Sequence, residues 1–248
     1  MYRAVPALRQ AAADYLWLLD RGYSRQAALK LVGDKHQLPR DERMILYRGL
    51  ASSAESEARK AVIAGPADAA GLPMLVDGYN QALTAMHYAT GRPVFIGSDG
   101  LTRDAGGSHG RIADLGALSR AIGLLAEAAA SLRCPRALVF LDAPVPGSAG
   151  HARMFREAFS ARGVEADSRL EKSADGPLKA ERGPVLVASG DSAIADAVAG
   201  SRDLPDGPRL FDLARAALEL AFAPLELLDL GSLPGDSSAS QRDGNEAR

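Results

Sequence analysis

The chain has 248 residues, enough for one large domain or two small ones with a real core. Its 47% hydrophobic and 24% charged content is that of a globular protein, and a single cysteine, Cys134, excludes an internal disulfide framework and a cysteine-rich zinc site. The net charge of -2 hides an asymmetry: residues 1–60 carry 11 Lys and Arg against 7 Asp and Glu, and the remainder 18 against 24.

A mildly basic head on an acidic body suits the holding of a polyanion near an acidic site; the bland alternative is an uneven scatter of solvated charge. No apolar run approaches the roughly 20 residues of a membrane helix. Met1 to Leu8 has no apolar stretch of signal-peptide type, so a cytoplasmic protein without a membrane partner is expected.

The first sixty residues read as helices only. Leu8, Ala12, Tyr15, Leu16 and Leu19 recur at helical spacing and stop at Gly22. Ser24 is placed to cap a second helix that buries Ala27, Ala28, Leu31 and Val32 and ends at Gly33. Pro39, Asp41 and Glu42 suit the first turn of a third helix that buries Ile45, Leu46 and Leu50. The start of the segment from Ala51 reads as an extension of that helix, and Gly65 to Gly71 as a linker. The expected domains are a helical unit over 1–64, an α/β body over 72–232 and a disordered tail over 233–248, where no core-forming residue occurs.

From Pro73 the pattern changes. Short apolar runs at Met74–Val76, Val94–Ile96, Ala137–Leu141, Val185–Ala188 and Arg209–Phe211 read as strands, and Gly163 to Ala166 as the start of another. Helical segments follow at 81–89, 115–132, 150–161, 191–198 and 213–221. Strands without polar alternation, separated by helices, predict a three-layer α/β fold with a mostly parallel sheet covered on both faces.

Ligands of an open parallel sheet bind beyond the carboxyl ends of its strands. Here those ends carry aspartates: Asp77 after Leu75-Val76, Asp99 shortly after Ile96, Asp142 after Leu141 and Asp191 after Ala188, with Asp104 in the loop beyond Asp99. Carboxylates gathered on one rim repel unless a cation lies between them, and the oxygen-loving ions Mg²⁺ and Mn²⁺ fit such a donor set. Each aspartate also has an ordinary role open to it: Asp191 as a helix cap, Asp142 and Asp99 as turn residues. The glycine-rich loop 99–110 lacks the phosphate-cradling motifs of nucleotide-binding folds, and there is no G-x-S-x-G elbow. Arg103, Ser108 and His109 in that loop, and Lys172 beyond the fourth strand region, are candidate phosphate contacts, with solvated surface as the alternative. In the head, the second and third helices with Arg40, Arg43 and Arg48 resemble a helix-turn-helix, although Gly33 to Leu38 is longer than the usual turn. Nucleic-acid contact and a packing or homodimer role are both open to it.

The string Leu75-Val76-Asp77-Gly78-Tyr79-Asn80 resembles the NYN branch of the PIN-like metal-dependent ribonucleases. Ser98-Asp99-Gly100 with Arg103-Asp104, Leu141-Asp142-Ala143-Pro144 and Gly190-Asp191-Ser192-Ala193-Ile194 resemble the domain-of-unknown-function family 5616. Arg21-Gly22-Tyr23-Ser24 with Leu31-Val32-Gly33-Asp34 resembles family 434. The PIN-like resemblance implies metal ligation by Asp77 and Asp191, with Asp142 as a third ligand and Asp104 or Asp99 completing the site. The acidic residue that PIN proteins carry on a mid-domain helix has no clear counterpart; Asp114 and Glu127 are the candidates. The resulting expectation is RNA cleavage with Mg²⁺ or Mn²⁺, using catalytic Asp77, Asp99, Asp142 and Asp191, with Asn80, Arg103 and Lys172 contacting substrate. The alternatives are a non-catalytic nucleic-acid or nucleotide-binding protein and a small-molecule phosphatase.

Overall fold

The computed structural model describes residues 6–106 and 112–232. Ser108, His109 and the expected tail 233–248 therefore lie outside the described residues.

Five strands build the main sheet. They are β1 (Met74–Asp77), β4 (Arg136–Asp142), β5 (Glu165–Glu171), β6 (Leu186–Ala188) and β7 (Arg209–Phe211). Their spatial order is β5-β4-β1-β6-β7, and every pairing is parallel. Strands β1 and β6 lack alternation because both of their faces are covered. On one face Met74, Val76, Val139 and Ala188 pack against α6 (Gly78–Ala89), α7 (Leu115–Ser131), α8 (Ser148–Ser160) and α11 (Leu213–Ala221). On the other, Phe140, Val187 and Leu210 meet α9 (Asp175–Ala180) and α10 (Ser192–Ala199). The expected α/β architecture is thus present.

The chain leaves β1 through β4 to β5 on one side, then returns to the other side of β1 for β6 and β7. The direction of winding reverses between β1 and β6, which opens a crevice beyond their carboxyl ends.

Strand β2 (Val94–Ile96) does not join this sheet. It pairs antiparallel with β3 (Thr102–Asp104) and parallel with β8 (Leu228–Asp229) in a separate three-stranded sheet. The expectation that Asp99 follows a strand of the main sheet is corrected here. Its strand lies against the head, where Phe95 and Leu230 pack among Ile45, Leu46 and Leu50.

The head contains α1 (Pro6–Leu19), α2 (Arg25–Lys35) and α3 (Arg40–Gly49) around Tyr15, Ala28, Val32 and Leu46. Ser24 caps α2, as its position predicts. The third helix does not extend past Gly49. Leu50 is extended, and a new helix, α4 (Ser53–Lys60), starts from a reciprocal capping box between Ser52 and Glu55. By its contacts α4 belongs to the body, since Arg59 bonds Asp196 on α10. The segment read as a linker contains a short helix, α5 (Pro66–Ala69). Among the described residues, no helix is long and apolar enough to cross a membrane.

Candidate functional site

Strand β1 passes into α6 without a loop, and Asp77 caps that helix. A Cβ at Gly78 would stand 2.6 Å from Leu141 Cδ2 and 2.8 Å from Val139 Cγ1. Glycine there lets the helix start directly against β4, which fixes Asp77 at the sheet rim. The Asn80 amide donates to Asp77 Oδ1 at 3.4 Å, and the Ser189 hydroxyl donates to Oδ2 at 2.8 Å. Ser189 Oγ in turn accepts from the Asp191 amide at 3.1 Å. Asn80 Oδ1 accepts from the Gly190 amide at 2.7 Å, closing a second link between the first turn of α6 and the end of β6. The two strands on either side of the winding reversal are therefore stitched together by side chains that follow them.

A cavity of about 150 Å³ opens at this point. Asp77, Asp104, Asp142, Asp175 and Asp191 line it, together with Arg48, Tyr79 and Asn80. Leu83, Ile112 and Val145 supply its apolar wall. Asp142 Oδ1 accepts from the Ala174 amide at 2.9 Å, which ties the end of β4 to the start of α9. Asp191 Oδ1 caps α10 by accepting from Ala193 and Ile194 at 2.8 and 3.1 Å. In both residues the second carboxylate oxygen makes no hydrogen bond among the described residues. Tyr79 contacts the buried imidazole of His151, with its hydroxyl 2.9 Å from Nδ1.

The electrostatics of the pocket are those of crowded acid. Burial pushes the Asp77 carboxyl up to about 7, and the charges of Asp191 and Asp175 add to that, against the hydrogen bonds from Ser189 and Asn80. Asp104 goes the other way. Burial raises it too, but His87, Arg48 and the Gly106 amide together hold it below the usual carboxylate range. Its Oδ1 lies 2.7 Å from the Gly106 nitrogen and 3.2 Å from His87 Nδ1, the latter off the hydrogen-bond axis.

The structure thus brings Asp77, Asp104, Asp142, Asp191 and Asn80 to one cavity and separates others from it. Asp99 is fully buried away from the cavity and clamped by two arginines, Arg59 Nη1 at 2.9 Å and Arg103 Nη2 at 2.6 Å. That corrects the assignment of Asp99 as catalytic, because both of its oxygens are consumed by buried cations. Arg103 is corrected with it: the side chain is buried outside the cavity lining, with its guanidinium turned to Asp99 and the Gly190 carbonyl. Lys172 is exposed and does not line the cavity. Asp114 caps α7 through the Ala117 amide, and Glu127 pairs with Arg162.

Three polar side chains that line the cavity among the described residues escape the sequence reading of the site. Asp175 sits in a polar stretch that reads as loop but forms the first turn of α9. Tyr79 carries a signal only through its neighbours in the Asp-Gly-Tyr-Asn string. Arg48 belongs to the head, and no local pattern connects it to residues 56 or more positions away. Of the two arginines grouped with Arg48 in the helix-turn-helix reading, Arg43 braces α2 by pairing with Asp34 at 2.9 Å, and Arg40 is exposed.

As a donor set for a cation, these carboxylates are all oxygen and anionic, the chemistry that Mg²⁺ and Mn²⁺ prefer. In this arrangement, however, no three Asp, Glu, His or Cys side chains among the described residues stand in position to hold one ion.

Fold and site define an α/β protein with a parallel sheet and an acidic cavity at its winding reversal. The chain belongs to the family described as a domain of unknown function, DUF5616, which matches residues 66–207. Residues 7–61 match a protein of unknown function, DUF434. The chain is also similar to the uncharacterized protein MJ0935 of Methanocaldococcus jannaschii, at 27% identity over 188 residues, which is 76% of this chain and 88% of that protein. No solved structure matches.

Proposed function

We propose that the protein is a cytoplasmic, PIN-like metal-dependent ribonuclease whose cavity binds Mg²⁺ or Mn²⁺ and hydrolyses RNA phosphodiesters. The observation that carries this reading is the meeting of Asp77, Asp142 and Asp191 in one cavity at the rim of β1, β4 and β6. A carboxyl raised to about 7 by burial and by neighbouring acids is the state expected of a ligand awaiting a cation. Asp77, Asp142 and Asp191 would hold the ion only after their side chains draw together, since as they stand they form no three-ligand set. When bound, it would neutralise the carboxylates, bind a phosphate oxygen and lower the pKa of an attacking water.

The residues themselves contribute in separable ways. Ser189 and the Asn80 amide orient Asp77, and the Ala174 amide before α9 and the cap on α10 fix one oxygen each of Asp142 and Asp191 while leaving the other for ligation. Leu83, Ile112 and Val145 restrict water on one wall.

A non-catalytic nucleic-acid or nucleotide-binding protein on the same fold is the second reading. It is favoured by the wide spacing of the carboxylates, which form no ready three-ligand set among the described residues. The deciding experiment is incubation of the purified chain with single-stranded RNA and Mn²⁺ or Mg²⁺. Cleavage that EDTA stops and Asp77→Asn abolishes supports the nuclease. RNA retention without cleavage or metal uptake supports the binding protein.

A further inference from the structure

Arg48 is the one basic side chain among the described residues that line the cavity. It comes from the last turn of α3 in the helical head, whereas the cavity's carboxylates all come from the body. Its Nη1 donates to the Gly106 carbonyl and stands 3.5 Å from Asp104 Oδ1. Its Nε and Nη2 make no hydrogen bond among the described residues. The other four aspartates of the cavity form no ion pair with it, even though an arginine this close to so much acid has every electrostatic incentive to pair.

The group that holds Arg48 is itself built into the protein. Asp104 is buried and receives the Gly106 amide at 2.7 Å and the Thr84 hydroxyl at 3.3 Å. Behind it lies His87, buried, with no hydrogen-bond partner for its Nδ1 among the described residues. This bracing fixes one edge of the guanidinium and leaves two nitrogens of its planar fork. That fork is the geometry that grips a phosphate through two parallel hydrogen bonds. The roles then divide by charge: Asp77, Asp142 and Asp191 give the cavity its anionic oxygens, and Arg48 gives it the cationic fork that a phosphate needs.

We propose that Arg48, supplied by the helical N-terminal unit, is the phosphate-binding side chain of the cavity, so that the two units build one site for a phosphate ester. The proposal rests on the phosphoester reading above and adds its recognition group. It also gives the head a function other than a separate nucleic-acid-binding surface.

The test uses the full chain and adenosine 5′-monophosphate with Mg²⁺ present, followed by calorimetry. Arg48→Gln weakens binding of the nucleotide by about tenfold or more, the order expected for loss of a charge-assisted contact. Its affinity for Mg²⁺ alone is unchanged or higher, because a cation has left the acidic cavity. Arg48→Lys, which keeps the charge but not the fork, falls between the two. In the wild type, saturating nucleotide shields Arg48 from phenylglyoxal, read by mass spectrometry, and this decides the matter if Arg48→Gln does not fold. A nucleotide affinity in Arg48→Gln within about twofold of wild type, equal labelling of Arg48 with and without nucleotide, or no nucleotide binding by the wild type overturns the proposal. A wild type that protects Arg48 and binds nucleotide but leaves RNA intact removes the nuclease reading and keeps this one.

Discussion

Arg103 grips Asp99 with both ends of its guanidinium, Nη1 to Oδ1 at 2.7 Å and Nη2 to Oδ2 at 2.6 Å, while its Nε donates to the Gly190 carbonyl at 2.7 Å. One buried side chain thereby ties the small sheet to the connection that bears Asp191. Burial alone would push the Asp99 carboxyl up, but the guanidiniums of Arg103 and Arg59 overcome it and hold Asp99 at about 2.

Removing that carboxylate's charge leaves Arg103 with no anionic partner among the described residues and Arg59 with Asp196 alone. Asp99→Asn is expected to lower unfolding stability by about 3–5 kcal/mol, the usual cost of breaking a buried pair from one side. Denaturant titration with tertiary fluorescence measures it. The pH dependence has a definite sign. A carboxyl depressed from 3.8 to about 2 stabilises the fold above about pH 4, and that contribution is lost as pH falls toward 2. Asp99→Asn should be less sensitive to acid over that range than wild type. A variant as stable as wild type would mean that the clamp contributes nothing net.

The contrast between Asp99 and Asp191 shows what the sequence could and could not reveal. Both follow short apolar strands and look alike in one dimension. Strand membership separates them, and three-residue strands such as β2 and β6 carry no mark of which sheet they join. The buried strands were legible because both faces are apolar. Strand β5 was legible only at its start, since an edge strand reading Glu-Ala-Asp-Ser-Arg-Leu-Glu has the polarity of a loop. Likewise, β3 is Thr-Arg-Asp, and its charged side chains sit buried with partners far off in sequence or in a loop, Arg103 on Asp99 and the Gly190 carbonyl and Asp104 on the Gly106 amide. The aspartate rim was legible from strand-end position. Arg48 was not, because its place depends on how the head docks.

Asp77 predicts the opposite pH trend from Asp99. Its carboxyl is raised from 3.8 to about 7, so the folded, metal-free chain binds a proton there that the unfolded chain has already released. Stability in EDTA should therefore fall as pH rises from about 4 to about 7 and then level off, by an amount on the order of a few kcal/mol. Asp77→Asn should flatten this window and be at least as stable as wild type at pH 8. Thermal unfolding across pH with EDTA present reads both. A wild-type profile as flat as that of the variant would show that Asp77 is not held protonated.

Gly190 offers a steric test of the link between β6 and α6. A Cβ there would lie 2.7 Å from the Thr102 carbonyl oxygen and 3.4 Å from Asn80 Oδ1. Backbone on one side cannot yield cheaply, so Gly190→Ala is expected to cost about 1–3 kcal/mol through overpacking. It should also displace Asp191 and weaken Mn²⁺ uptake along with stability. Calorimetric Mn²⁺ binding and unfolding of the same sample are the paired measurements. Intact stability would mean that the loop moves freely.

Asp191 separates the cation-binding role from the structural one most cleanly. Its Oδ1 caps α10 by accepting from Ala193 and Ile194. Asparagine is as good a cap as aspartate, because the same carbonyl oxygen can accept both amides. Asp191→Asn should therefore keep stability within a few tenths of a kcal/mol, while alanine, which cannot cap, should lose about 1 kcal/mol. The metal role predicts a different order. Both variants lose the anionic oxygen, so both should lose Mn²⁺ affinity and RNA cleavage to a similar extent. Relief of repulsion on Asp77 should at the same time bring its raised pKa down, since the charge of Asp191 is one of its causes. Measured together, stability should rank wild type near Asn above Ala, and activity should rank wild type far above both. If cleavage instead follows stability, with Asn active and only Ala impaired, Asp191 is a helix cap and the cation must be held by other residues.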